Sequence, residues 1–173
     1  MANSVDQHAN FETTVTRILR DRGVPFRLSM HNQPAMTVQE AAEQRNMRPG
    51  QMVKTMVLRL PDGSHIAALV PGDRDVDLRL IKQSYGIRRL SWVAREEVEA
   101  LTGYPPGAVS PVGIAGVREV LADPLFMQEE ELAISSGRHG AGVRLASTDL
   151  LRAIDARMVT ISKPSVERNG DSG

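Results

Sequence analysis

Apolar residues recur along this chain at two alternating periods, and the switches between them sketch its elements. Phe11, Val15, Ile18 and Leu19 share one face at helical spacing, with Asn10 placed to cap the helix and Gly23 to end it. Pro25 leads into an extended run over residues 26–30. Thr37-Val38-Gln39-Glu40 is a capping-box pattern that opens a short helix through Ala41 and Ala42, and Pro49-Gly50 is a turn. Residues 51–60 read as a buried strand. Pro61-Asp62-Gly63 folds it back into a second strand over 64–70, and Pro71-Gly72 closes the hairpin. Asp75 or Asp77 caps a helix that turns Leu78 and Ile81 inward and stops at Gly86. A brief strand over 87–92 and a helix over 94–101 follow, with Glu96 and Glu97 near the helix's positive end.

Further strands are predicted at 117–122, 131–135, 143–146 and 158–161. The Asp123-Pro124 turn, a tight loop at 136–140 and a helix over 148–154 capped by Ser147 separate them. Short helices and strands interleave irregularly, with at least one hairpin and no internal repeat. That pattern predicts one α+β (mixed α/β) domain over residues 10–162. The polar ends, 1–9 and 163–173, are expected to be flexible.

Composition narrows the chemistry. Lys plus Arg and Asp plus Glu both number 21 among 173 residues, so any nucleic-acid contact must come from a local basic patch. There is no cysteine, which excludes disulfides, thiol nucleophiles and zinc–thiolate sites. His8, His31, His65 and His139 lack metal-ligand spacing, and neither a G-x-S-x-G elbow nor a His-Glu zinc pattern occurs. No cofactor or metal is therefore expected. Aromatics make up 3%, too few for a broad base-stacking platform. Without an apolar leader or spanning run, a soluble cytoplasmic protein is expected, with no membrane partner.

Two stretches carry candidate chemistry. Residues 102–113, TGYPPGAVSPVG, hold three glycines and three prolines between apolar periodic segments. Gly103, Gly107 and Gly113 can take positive φ, while Pro105, Pro106 and Pro111 remove amide donors. The spacing alone serves a structural turn or a rigid ligand cradle alike. Lys54 lies mid-strand, where alternation places it with Met52, Met56 and Leu58, opposite Val53, Thr55 and Val57. A buried ammonium there needs an anionic partner, a polar cavity or a lowered pKa. The alternative is snorkelling to the rim beside an aspartate.

Gly107-Ala108-Val109-Ser110-Pro111 fits a GxxxP motif, and the whole run resembles the extended motif of the YbaK family. That family includes the editing insertion domain of bacterial prolyl-tRNA synthetases. Lys54-Thr55-Met56-Val57 matches the family's pocket lysine with its short polar and apolar followers, and SGRHGAG at 136–142 resembles its SGG-(K/R)-(R/H)-G loop. The resemblance runs from Phe11 to Ile161. It implies a curved mixed sheet flanked by short helices, and hydrolysis of the ester joining a mischarged amino acid to a transfer RNA. The partner would be the acceptor end of aminoacyl-tRNA, with an aminoacyl-tRNA synthetase left open as a second.

On this resemblance Lys54 would engage phosphate or ribose, and the loop around Gly107 and Pro111, with amides from Gly107 to Ser110, would hold the aminoacyl group. His139 and Asp123 complete the implied catalytic set. Thr55, His31, Gly103, Ala108, Val109, Gly113 and Gly137 form the implied substrate-binding set. Arg74, Arg79, Lys82, Arg88 and Arg89 would meet the acceptor stem, or else form a solvated face. Thr55 replaces the asparagine usual in alanine-editing members, which leans toward cysteinyl, seryl or threonyl substrates. A tRNA-binding module without catalysis, or a small amino-acid binder, are the rival functions.

Overall fold

The computed structural model describes residues 11–31, 33 and 35–166. Its backbone is a mixed five-stranded sheet, with a second, antiparallel sheet of three strands and a two-stranded ribbon. The pair β2 (Val53–Arg59) and β3 (His65–Pro71) is the predicted hairpin, antiparallel with Lys54 opposite Val70 and Leu58 opposite Ile66. β6 (Glu119–Ala122) runs parallel to β3, and β9 (Arg157–Met158) parallel to β6. β5 (Ser91–Trp92) pairs only with Leu58 and Arg59 of β2. A parallel bridge between Met52 and Ala133 joins the large sheet to β7 (Glu131–Ser135), which pairs with β8 (Ala141–Ala146) beside β1 (Arg27–Met30).

β3 explains the layering. Its run Ile66-Ala67-Ala68-Leu69-Val70 is wholly buried, as a central strand covered on both faces must be. Ala67 and Leu69 pack with Leu132, Ile134 and Val143 of the second sheet and with Val15 and Leu19 of helix α1 (Thr14–Asp21). Ile66, Ala68 and Val70 face the other way, toward Ile81 of helix α3 (Leu78–Tyr85) and Ile161. Three more helices complete the domain: α2 (Val38–Gln44), α4 (Arg95–Thr102) and α5 (Ser147–Ala153).

Several sequence expectations change in detail. Asn10 lies outside the described residues, and α1 is capped by Thr13, whose hydroxyl accepts from the Thr16 amide at 3.3 Å. Thr16 Oγ1 returns the bond to the Thr13 amide at 2.9 Å, a reciprocal cap that hydrophobic periodicity does not reveal. Ser147 is the first residue of α5 rather than its cap, because its hydroxyl donates to the Glu129 carbonyl. Asp77, not Asp75, caps α3 by accepting from the Arg79 amide at 2.9 Å. Asp75 belongs instead to β4 (Arg74–Val76), which pairs with β10 (Ser162–Pro164). Lys163 and Pro164 are therefore ordered strand and not tail. These three-residue polar strands are stabilised by a partner some ninety positions away, so no local pattern announces them. The predicted flexible segment 1–9 and the end from 167 lie outside the described residues.

Candidate active site

Because β5 covers only the end of β2, the outer edge of β2 from Val53 to Val57 borders a cavity of about 530 Å³. α2 and His31 form one wall and β7–β8 another; Trp92, Arg95 and Val98 line the β5–α4 side. Two loops, carrying Pro106 to Val109 and Arg138 to Gly140, close it. Among the described residues four cations, Arg45, Lys54, Arg95 and Arg138, line this space, and no Asp or Glu does. In a chain with balanced charge, that segregation gives the cavity an electropositive lining suited to an anionic ligand.

Lys54 reaches the cavity, but it is not the lone buried ammonium that alternation suggests. Its Nζ donates to Asp75 Oδ1 at 3.1 Å, and the lysine side chain is 23% exposed against 47% for the aspartate. The snorkelling alternative thus describes its resting contact. Desolvation pushes the Asp75 carboxyl up, but the hydrogen bond and charge of Lys54 prevail and hold it below the usual carboxylate range. A half-exposed pair of this kind is weak enough for a ligand phosphate to compete for the lysine.

The wall beside Lys54 carries unmatched polarity. Thr55 Oγ1, His31 Nε2 and Arg45 Nε are buried without a hydrogen-bond partner among the described residues, and all three residues line the cavity. Buried polar atoms are normally paired, so orphans gathered around one empty space fit a polar ligand. Desolvation, then the charge of Arg45, holds the His31 imidazole below its ordinary pKa, which keeps it neutral. Arg45 escapes sequence reasoning because no motif contains it. Its guanidinium lies against Gly142, where a Cβ would stand 2.7 Å from Nε, and Nη1 donates to the Ala41 carbonyl at 2.7 Å.

The glycine–proline loop divides into frame and cradle. Thr102 Oγ1 donates to the Val98 carbonyl at 2.8 Å and accepts from the Tyr104 amide at 3.1 Å. Tyr104 is buried and its hydroxyl donates to the Val112 carbonyl; burial pushes this phenol up to about 12, so it remains a donor. Ser110 is also fully buried, accepting from the Val112 amide at 3.3 Å, and neither it nor Pro111 reaches the cavity. Gly103 ends α4 with φ of +80°. A Cβ at Gly113 would meet Ile18 at 2.5 Å, and one at Gly137 would meet Tyr104 at 2.7 Å. Gly103, Gly113 and Gly137 therefore serve turning and packing outside the cavity, as does buried Ala108.

Gly107 and Val109 do line the cavity, and their amides donate to no group among the described residues. Gly107 has φ of +83°, and its missing Cβ would stand 3.4 Å from His139 Cε1, which brings the two loop motifs face to face. Ser135, not singled out by sequence, ties these loops together. Its Oγ donates to the Ala108 carbonyl at 2.8 Å and accepts from the Gly137 amide at 3.1 Å.

The structure places Asp123, implied by the resemblance as part of the catalytic set, away from the cavity. Asp123 is 1% exposed; its Oδ1 accepts from Leu125 N at 3.1 Å, and Oδ2 from Ile161 N at 3.1 Å and Ser162 N at 3.0 Å. This carboxylate holds the start of β10 against the end of β6. The basic middle segment is also displaced from the site, since Arg74, Arg79, Lys82, Arg88 and Arg89 do not line the cavity. Among the described residues no cluster of His, Asp and Glu has the makings of a metal site, and no helix is long and apolar enough to cross a membrane.

Comparison with known proteins accords with this geometry. The aminoacyl-tRNA editing domain family matches residues 32–153. A proline–tRNA ligase of Nitratidesulfovibrio vulgaris is 33% identical over 134 residues, which make up 75% of this chain and 23% of that enzyme. The multifunctional Ser/Thr-tRNA deacylase ProXp-y of Escherichia coli K12 is 27% identical over 150 residues, 84% of this chain and 89% of that protein. The crystal structure of a candidate trans-editing enzyme for prolyl tRNA synthetase superposes with a TM-score of 0.79 at 25% identity, covering 89% of this chain and 99% of that one. The chain thus spans about a quarter of the ligase it matches and most of ProXp-y. It belongs to the aminoacyl-tRNA editing domain family.

Proposed function

We propose that this protein is a trans-acting aminoacyl-tRNA deacylase whose cavity receives the charged acceptor end, and that it acts in the cytoplasm. The observation that carries the reading is the cavity itself: among the described residues it is lined by four cations and no carboxylate, and edged by buried polar atoms without partners. Lys54 exchanges its contact with Asp75 for a phosphate or ribose oxygen of the substrate. The unengaged amides of Gly107 and Val109 receive the carbonyl oxygen as it gains charge. Water attacks the ester carbon, the bond from that carbon to the ribose oxygen breaks, and a proton passes to the departing ribose. The neighbouring 2′-hydroxyl assists the water, so the protein needs no nucleophile of its own. His139, against Gly107, borders the reacting group.

Thr55 and His31 support a substrate side chain bearing a hydroxyl. A site built to hydrogen-bond a hydroxyl discriminates strongly against analogues that lack it, since its polar atoms then stay unpaired. Serine and threonine satisfy this better than alanine, in line with what ProXp-y is named for. The test is a deacylation panel using transfer RNA charged with alanine, serine, threonine or cysteine. Fastest release of serine or threonine is expected. Release of none, with charged transfer RNA still bound, would replace this reading by that of a binding module.

A further inference from the structure

Trp92 is the one tryptophan of the chain, and its position is unusual for so large a ring. It sits on the two-residue edge strand β5 and is 46% exposed, although its neighbour Val93 is buried. A lone exposed aromatic is unremarkable on an outer surface. This one lines the cationic cavity, beside Met56, itself 37% exposed on β2.

Strand register orders these residues. Trp92 is paired with Leu58, so it falls on the side of β2 that also carries Met56 and Lys54. Lys54 and Leu58 are four positions apart, a run of about 13 Å along a strand. One side of β2 therefore presents an ammonium, an exposed thioether and an exposed indole in sequence. Cations track a nucleic-acid backbone, and an open ring offers a face to any base. Among the described residues no Asp or Glu lines the cavity, and the Asp75 carboxylate beside it is paired with Lys54, which limits the repulsion a polyanion meets near this ring.

We propose that Trp92 is a stacking platform for a nucleobase of the single-stranded acceptor end, with Met56 supporting the ring. This rests on the deacylase reading for its ligand, but its test does not depend on turnover. As the sole tryptophan, Trp92 is its own reporter. The protein is titrated with the trinucleotide 5′-CCA-3′ and, separately, with a ribose–phosphate trimer lacking bases, following fluorescence and, by calorimetry, binding.

Saturable quenching by CCA that the baseless trimer does not reproduce is expected. In kinetics with charged transfer RNA, Trp92→Ala should raise KM about tenfold or more and leave kcat near wild type, while Trp92→Phe recovers most of the loss. An unchanged melting temperature for both variants keeps the comparison to binding. Calorimetric binding of CCA without a fluorescence change, equal quenching by the baseless trimer, no binding of CCA at all, or an unchanged KM in Trp92→Ala would each overturn the platform. A protein that hydrolyses no charged transfer RNA yet shows base-dependent quenching would refute the deacylase reading and leave the platform standing.

Discussion

The glycine–proline loop and the cavity wall made by His31, Arg45, Lys54 and Thr55 differ in a way that separates building from chemistry. The loop is rich in motif residues, and most satisfy one another: Thr102 with Tyr104, Tyr104 with Val112, Ser110 with Val112. The wall is poor in motifs, but it holds three of the orphaned polar atoms and two of the cavity's cations. Internally satisfied groups hold a shape, whereas unsatisfied ones await a ligand. The motif is thus chiefly a frame, from which Pro106, Gly107 and Val109 face the cavity.

Substitution can break this division most forcefully in the frame. Gly113→Ala forces a side chain at φ of +70° and drives a Cβ toward Ile18. Left-handed strain and overpacking together should cost about 2–4 kcal/mol in urea unfolding. Activity per folded molecule should stay unchanged; a stable variant with lost activity would move Gly113 into the site.

Lys54→Ala addresses the wall and should show the reverse. Loss of a charged contact to the substrate predicts a fall of about a hundredfold in single-turnover deacylation. The pair with Asp75 is partly exposed, so the melting temperature should barely move. A collapsed melting temperature would make the pair structural, and full activity would remove Lys54 from the mechanism.

A smaller effect sharpens the substrate. Thr55→Val removes an orphaned hydroxyl, so stability should hold or rise while kcat/KM on seryl or threonyl substrate drops about tenfold. Alanyl substrate should lose much less, and equal losses on all substrates would argue against a hydroxyl subsite.

The smallest effect is in pH. His31 has a folded-state pKa below its ordinary value, so the unfolded chain takes up the proton first as pH falls. Stability should be unaffected by this group above about pH 6.5 and decline as pH drops below it, toward the folded pKa. His31→Gln should flatten part of that slope in pH-dependent unfolding curves; an identical slope would mean that His31 is not held neutral by its surroundings.

How far the sequence leads follows from the range of the interactions involved. The β2–β3 hairpin, the bounds of β7, the stop of α3 at Gly86 and the motifs that place Lys54, Gly107 and His139 on the cavity lining are legible, because turn residues, periodicity and a contiguous motif are local signals. Asp123 looked like a site residue for the same reason, since an acidic residue before a proline carries no sign of its partners. Only the fold brings Ile161 and Ser162 back to occupy its carboxylate. Arg45, Ser135 and the Asp75 partner of Lys54 were likewise invisible, for each acquires its role from a strand or loop distant in sequence. Short-range pattern determined most of the helices and the longer strands, though not the β4–β10 ribbon, and which motif residues stand out. Which side chains are left unpaired around one cavity was decided by tertiary packing, because hydrogen-bond satisfaction depends on every neighbour in space rather than on neighbours along the chain.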